Sequence, residues 1–116
     1  MRTIKLGLLN DSINEIFISS IVYEKENEAS TIEVTIPTEL QGYKYKLVFR
    51  LPDNSVVVTS ELIPVENVIE YKIGSNLTSK IGKLVFEFHI YNDAGLLCKI
   101  GKYMLNVQDA IDIPTP

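Results

Sequence analysis

The side chains best suited to nucleophilic catalysis here are His89 and Cys98, the one histidine and the one cysteine of the sequence. A Cys–His pair needs a thiolate, an adjacent base and a third group to orient that base. Nothing nearby lowers the thiol pKa, because Leu96, Leu97 and Ile100 around Cys98 are all apolar. The pattern reads instead as a half-exposed histidine on the wet face of a strand and a cysteine acting as a small hydrophobe. Glu87 and His89 share a face at i, i+2, a spacing two metal ligands can use, yet a closed zinc site needs four and no second His or Cys exists. Asp11, Asp53 and Asp93 sit in turn sequences, where aspartate normally bonds to backbone; calcium binding is the weaker reading. The glycines are scattered and form no phosphate loop. Tyr43 and Tyr45 read as core and Tyr91 as exposed, and without tryptophan a stacking platform for sugars or bases is poorly supplied. We therefore assign no catalytic, cofactor-binding or metal-binding residue, expect no cofactor, and expect a protein that is not an enzyme.

The elements that carry these residues follow from composition and periodicity. A chain of 116 residues with 46% hydrophobic side chains has the size and apolar content of one globular domain. The net charge of −4 comes from interleaved acids and bases, and the acidic run Glu24-Lys25-Glu26-Asn27-Glu28 reads as a solvated loop. No segment gathers enough Lys or Arg to neutralise several phosphates, so nucleic acid is not an expected partner. A single cysteine excludes an intrachain disulfide. Met1, Arg2 and Lys5 are not followed by the apolar stretch of a secretory signal, and no apolar run approaches the ~20 residues of a membrane helix. The expectation is a protein made in the cytoplasm, without a signal peptide and without a membrane partner. On that reading the glycosylation-type triplets Asn10-Asp11-Ser12 and Asn76-Leu77-Thr78 carry no information.

Period-two alternation dominates the chain. Along Tyr43–Leu51, Tyr43, Tyr45, Leu47, Phe49 and Leu51 alternate with Lys44, Lys46, Val48 and Arg50, giving one dry and one wet face. Pro52-Asp53-Asn54 ends that strand as a turn. Leu84, Phe86, Phe88 and Ile90 alternate with Glu87, His89 and Tyr91 in the next long strand. Asn92-Asp93-Ala94-Gly95 then turns the chain back through Leu96 to Val107, with an irregularity expected at Gly101, so the two runs read as a hairpin. Shorter strands are expected over 3–8, 15–23, 31–36, 55–59 and 68–73, with one helical or 3₁₀ turn over 76–82. The total is about eight strands with turn signals between them, the pattern of a mostly antiparallel β-sandwich. No βαβ alternation allows a parallel nucleotide-binding sheet. Residues 1–109 read as the sandwich domain and 110–116, ending Ile113-Pro114-Thr115-Pro116, as a linker-like tail from which a longer chain would continue.

The order of the middle and last strands carries a resemblance. Thr31-Ile32-Glu33-Val34-Thr35-Ile36 leads through Glu39-Leu40-Gln41-Gly42 into the Tyr43 strand and Leu51-Pro52-Asp53-Asn54. Ile69-Glu70-Tyr71-Lys72-Ile73, a Leu77-Thr78 turn, Gly82-Lys83-Leu84-Val85-Phe86 and a closing Leu105-Asn106-Val107 follow. From roughly Glu15 to Asp109 this resembles the N-terminal domain of baseplate upper proteins from tailed phages of Gram-positive bacteria. Members of that family often enter the first core strand through an Asp-x-Asn-Thr-Ala-like run, where this chain has Glu28-Ala29-Ser30-Thr31.

The resemblance implies an immunoglobulin-like sandwich acting as a non-catalytic structural module of a phage or prophage tail baseplate. It would anchor a receptor-binding or adhesin part to the tail, with other baseplate or tail proteins and further copies of itself as partners, and would reside in the virion. It brings no catalytic residues. The alternative is a carbohydrate- or protein-binding module that recognises the host cell wall through the turns at one end of the sandwich. Two surface questions stay open at this stage. Val48, Val57 and Val85 are either an outward apolar patch or the inner face of a sheet, and the strand from Thr3 to Leu9 either completes its own sheet or pairs with another chain.

Overall fold

The computed structural model describes residues 2–6 and 16–109. Eight strands follow in order: β1 (Arg2–Leu6), β2 (Ile16–Tyr23), β3 (Ser30–Thr35), β4 (Lys44–Arg50), β5 (Val56–Val58), β6 (Val68–Lys72), β7 (Gly82–Asn92) and β8 (Gly95–Gln108). They form a three-stranded sheet, β1-β3-β6, and a five-stranded sheet, β2-β8-β7-β4-β5. Placing β3 and β6 in one sheet and β4, β7 and β8 in the other is the division of an immunoglobulin-like sandwich. The expected all-β fold of about eight strands is thus the observed one. Pairing is antiparallel except where the first two strands dock at the sheet edges, β1 parallel to β3 and β2 parallel to β8. The N-terminal strand completes a sheet of its own chain, while Leu8, Leu9 and the Asn10-Asp11-Ser12 turn lie outside the described residues, as does the 110–116 tail.

Alternation explains the core. Ile32, Val34 and Ile69 turn inward from the smaller sheet, and Leu47, Phe49, Leu84, Phe86, Phe88 and Ile90 turn inward from the larger one, into one continuous cluster. In the β4–β7 register Phe49 sits directly opposite Phe86, with ring centroids 5.4 Å apart. Phe86 stacks in turn on Tyr103 of β8 at 5.4 Å, and Phe49 reaches Tyr71 of β6 at 5.7 Å, which joins the two sheets through rings.

Several local expectations are refined. The irregularity at Gly101 is a bulge: Phe86 pairs with Tyr103 but Phe88 with Ile100, so β8 carries one residue more than β7 between them. Glycine is required there, because its φ of +135° suits no side chain and an added Cβ would lie 3.1 Å from the Phe86 carbonyl oxygen. Tyr43, expected in the core, is instead exposed. It precedes β4 in the turn after Gly42, whose φ is +83°, so the sheet pleat does not reach it. The 3₁₀ turn lies at Thr38–Leu40 rather than within 76–82. Pro37 opens it with a fixed φ, and the Tyr45 hydroxyl closes it by donating to the Leu40 carbonyl at 2.6 Å. A tight turn lies over 74–77 instead, where the Leu77 N–H donates to the Gly74 carbonyl at 3.0 Å. The acidic loop is also more than solvated surface. Lys25 N–H donates to the Thr78 carbonyl at 2.9 Å, and the buried Thr78 hydroxyl donates back to the Glu26 carbonyl at 2.6 Å.

Because Phe49 and Phe86 are fully buried and in ring contact, Phe49→Ala and Phe86→Ala should each cost about 3–5 kcal/mol in denaturant unfolding. A loss below about 1 kcal/mol for both, the size of a surface effect, would contradict the assigned facing.

Candidate interaction surfaces

The residues with chemical potential are separated by the pleat. His89 pairs with Lys99 and Ile90 with Cys98, so consecutive positions on each strand point to opposite sides of the sheet. Cys98 packs against the core, and burial pushes its thiol pKa up, away from the reactive thiolate. His89 lies on the outer face with Nε2 2.9 Å from Glu87 Oε1, and both side chains are largely covered. Lys46 and Lys99 flank His89 across the sheet, and Lys46 Nζ stands 5.3 Å from the centre of the Tyr91 ring. Thiol and imidazole therefore never face one another.

Of the turn aspartates, Asp53 holds its own turn and Asp93 pairs with a lysine of β4. Asp53 accepts from the Ser55 N–H at 3.0 Å and from the Ser55 hydroxyl, which holds its carboxyl below the ordinary range. Asp93 accepts from Lys44 Nζ at 2.7 Å, with the same effect on its carboxyl. Asp11 lies outside the described residues. Among the described residues, no three His, Cys, Asp or Glu side chains come together as a metal site would require. Among the described residues, no helix is long and apolar enough to cross a membrane.

The surface features are the two outer faces. On the five-stranded sheet, Val48 and Val85 are half-buried on the outside, whereas Val57 packs inward against the core, so the three valines divide between the two readings. Val85 pairs with Arg50 on one side and Met104 on the other, and the edge strand β5 presents Val56 and Val58 to solvent. Two shallow grooves share Arg50 and Val85: one of about 310 Å³ runs past Pro52, Lys83 and Met104, the other of about 170 Å³ past Val48, Val56, Glu87 and Lys102.

The second face escaped the reading of the sequence. Ile63 and Val65 are 71% and 73% exposed, and they line a groove of about 590 Å³ with Val68, Glu33, Glu66 and Glu70. A two-residue turn builds its end. Glu66 and Asn67 both have positive φ, and Val65 and Val68 exchange backbone hydrogen bonds of 2.9 and 3.0 Å across them. The available signal was the outward position of Glu33 and Glu70 on their strands, but only the β3–β6 register sets them directly opposite each other.

An all-β, immunoglobulin-like sandwich of two packed sheets is the class of protein that this topology defines. No protein-family model matches the sequence, and no curated protein matches it. Among solved structures the chain is similar to the N-terminal domain of phage TP901-1 ORF48, with a TM-score of 0.50 and 11% identity over 91% of this chain and 94% of that one. At this identity the likeness establishes a shared fold.

An inward, partly buried thiol should label slowly. With a thiol-reactive dye, Cys98 in the folded chain is expected to react far more slowly than in denaturant, and Cys98→Ser and His89→Ala should leave the fold intact. Equal labelling rates in the folded and unfolded chain would contradict this placement.

Proposed function

We propose that this domain is a non-catalytic structural module of a phage or prophage tail baseplate, anchoring a receptor-binding or adhesin part to the tail. The observation that carries the reading is the fold shared with the N-terminal domain of phage TP901-1 ORF48, which spans nearly the whole of both chains. The strand order and turn punctuation from Glu15 to Asp109, which resemble baseplate upper proteins, support it from the side of the sequence. Open sheet edges and exposed apolar side chains on two outer faces are the features by which a β-domain holds other proteins. On this reading the domain works by protein contacts, is assembled in the bacterial cytoplasm and ends in the virion.

Antibodies raised against residues 1–116 test it directly. They should decorate the distal end of tails in tailed particles from the source strain, and the protein should copurify with tails at fixed stoichiometry. Particles that carry no copy of it, together with saturable binding of the isolated domain to purified cell wall, would replace this reading with that of a wall-binding module.

A further inference from the structure

We infer that the acidic groove on the three-stranded sheet receives the basic outer face of the five-stranded sheet of a second copy of this chain, in a head-to-tail contact. Both halves of the contact are present on one molecule. The receiving groove is lined by the apolar Ile63, Val65 and Val68 together with Glu33, Glu66 and Glu70. Glu33 and Glu70 are directly opposite in the β3–β6 register, an arrangement of like charges that costs stability unless a cation is supplied. Lys5 stands opposite Glu33 on β1 and Lys72 shares the outer face of β6 with Glu70, yet among the described residues no ion pair joins either lysine to these three carboxylates.

The complementary face has the same plan with the opposite sign. Val48 and Val85 are half-buried beside Arg50 and Lys102, over the buried Met104, and Lys46 and Lys99 extend the positive charge along the sheet. Glu87 is the one carboxylate in β4, β7 and β8, and His89 already engages it. Apolar centres ringed by opposite charges exclude water between them and set a register, the arrangement found in specific interfaces.

Symmetry decides the mode of contact. The grooves lie on the outer faces of different sheets, so a two-fold dimer cannot use both at once and would set like charge against like. A heterologous contact joins opposite charges and leaves one free groove and one free face at the two ends, so it closes into a ring or continues as a row. The contact follows from the two surfaces alone, and a failure of tail decoration would leave it untouched.

Sedimentation of the full chain tests it. At about 0.01 M ionic strength, where charges act over ~30 Å, the wild-type chain should associate with rising concentration; at about 1 M, where they act over ~3 Å, it should fall back towards monomer. Glu70→Gln and Arg50→Gln, which keep the shape of both grooves, should each weaken association several-fold at low salt. The double reversals Glu33→Lys with Glu70→Lys, and Arg50→Glu with Lys102→Glu, should each abolish self-association, while an equimolar mixture of the two should associate through the intact groove of one and the intact face of the other. A wild-type chain that stays monomeric at low salt, or association that neither salt nor the glutamine variants change, would overturn the proposal.

Discussion

A chain of four aromatic rings fixes everything else in this domain. Tyr71, Phe49, Phe86 and Tyr103 lie in contact from β6 through β4 and β7 to β8, with centroid separations of 5.7, 5.4 and 5.4 Å. The first contact crosses between the sheets, and the other two run along the larger sheet. Rings of this size contribute the largest apolar areas in a small core, and offset or tilted contacts add to the burial itself. Their positions also set register. A slip of one residue in β4 or β7 would turn Phe49 or Phe86 outward and bring a charged neighbour into the core.

The outer faces are the reverse side of that constraint. With Phe49 and Leu47 inward, Arg50, Val48 and Lys46 must face out; with Phe86 and Phe88 inward, Val85, Glu87 and His89 must do so. The same pleat keeps Cys98 against the core and His89 at the surface, which separates the two groups that could have formed a nucleophile and its base. One periodicity therefore parts the thiol from the imidazole and sets apolar and basic side chains together on the outer face. The smaller sheet obeys it too: Ile32, Val34 and Ile69 inward leave Glu33 and Glu70 outward and opposed.

What the sequence made legible is what local patterning controls. The alternation from Tyr45 to Leu51 and from Leu84 to Ile90 identified both long strands and their dry faces, and the Asn92–Gly95 turn identified the hairpin. Patterning ends where the strand ends, so Tyr43, one residue before β4, follows the turn and is exposed. The short 3₁₀ turn at Thr38–Leu40 depends on a tyrosine hydroxyl five residues along the chain, a contact with no local signature. Strand partners are set by distant packing. The parallel docking of β1 and β2, and the opposition of Glu33 to Glu70, could be read only once strands far apart in sequence had been placed side by side.

Native-state hydrogen exchange of the intact chain, read residue by residue, tests the claim that the ring chain holds both faces as one unit. If it does, the backbone amides in the β7–β8 ladder around Phe86 and Phe88 should exchange only through global unfolding, with the same free energy of opening, while β5 and the β1 edge open more readily. Amides of β7 that exchange through local openings as frequent as those of β5 would contradict the account.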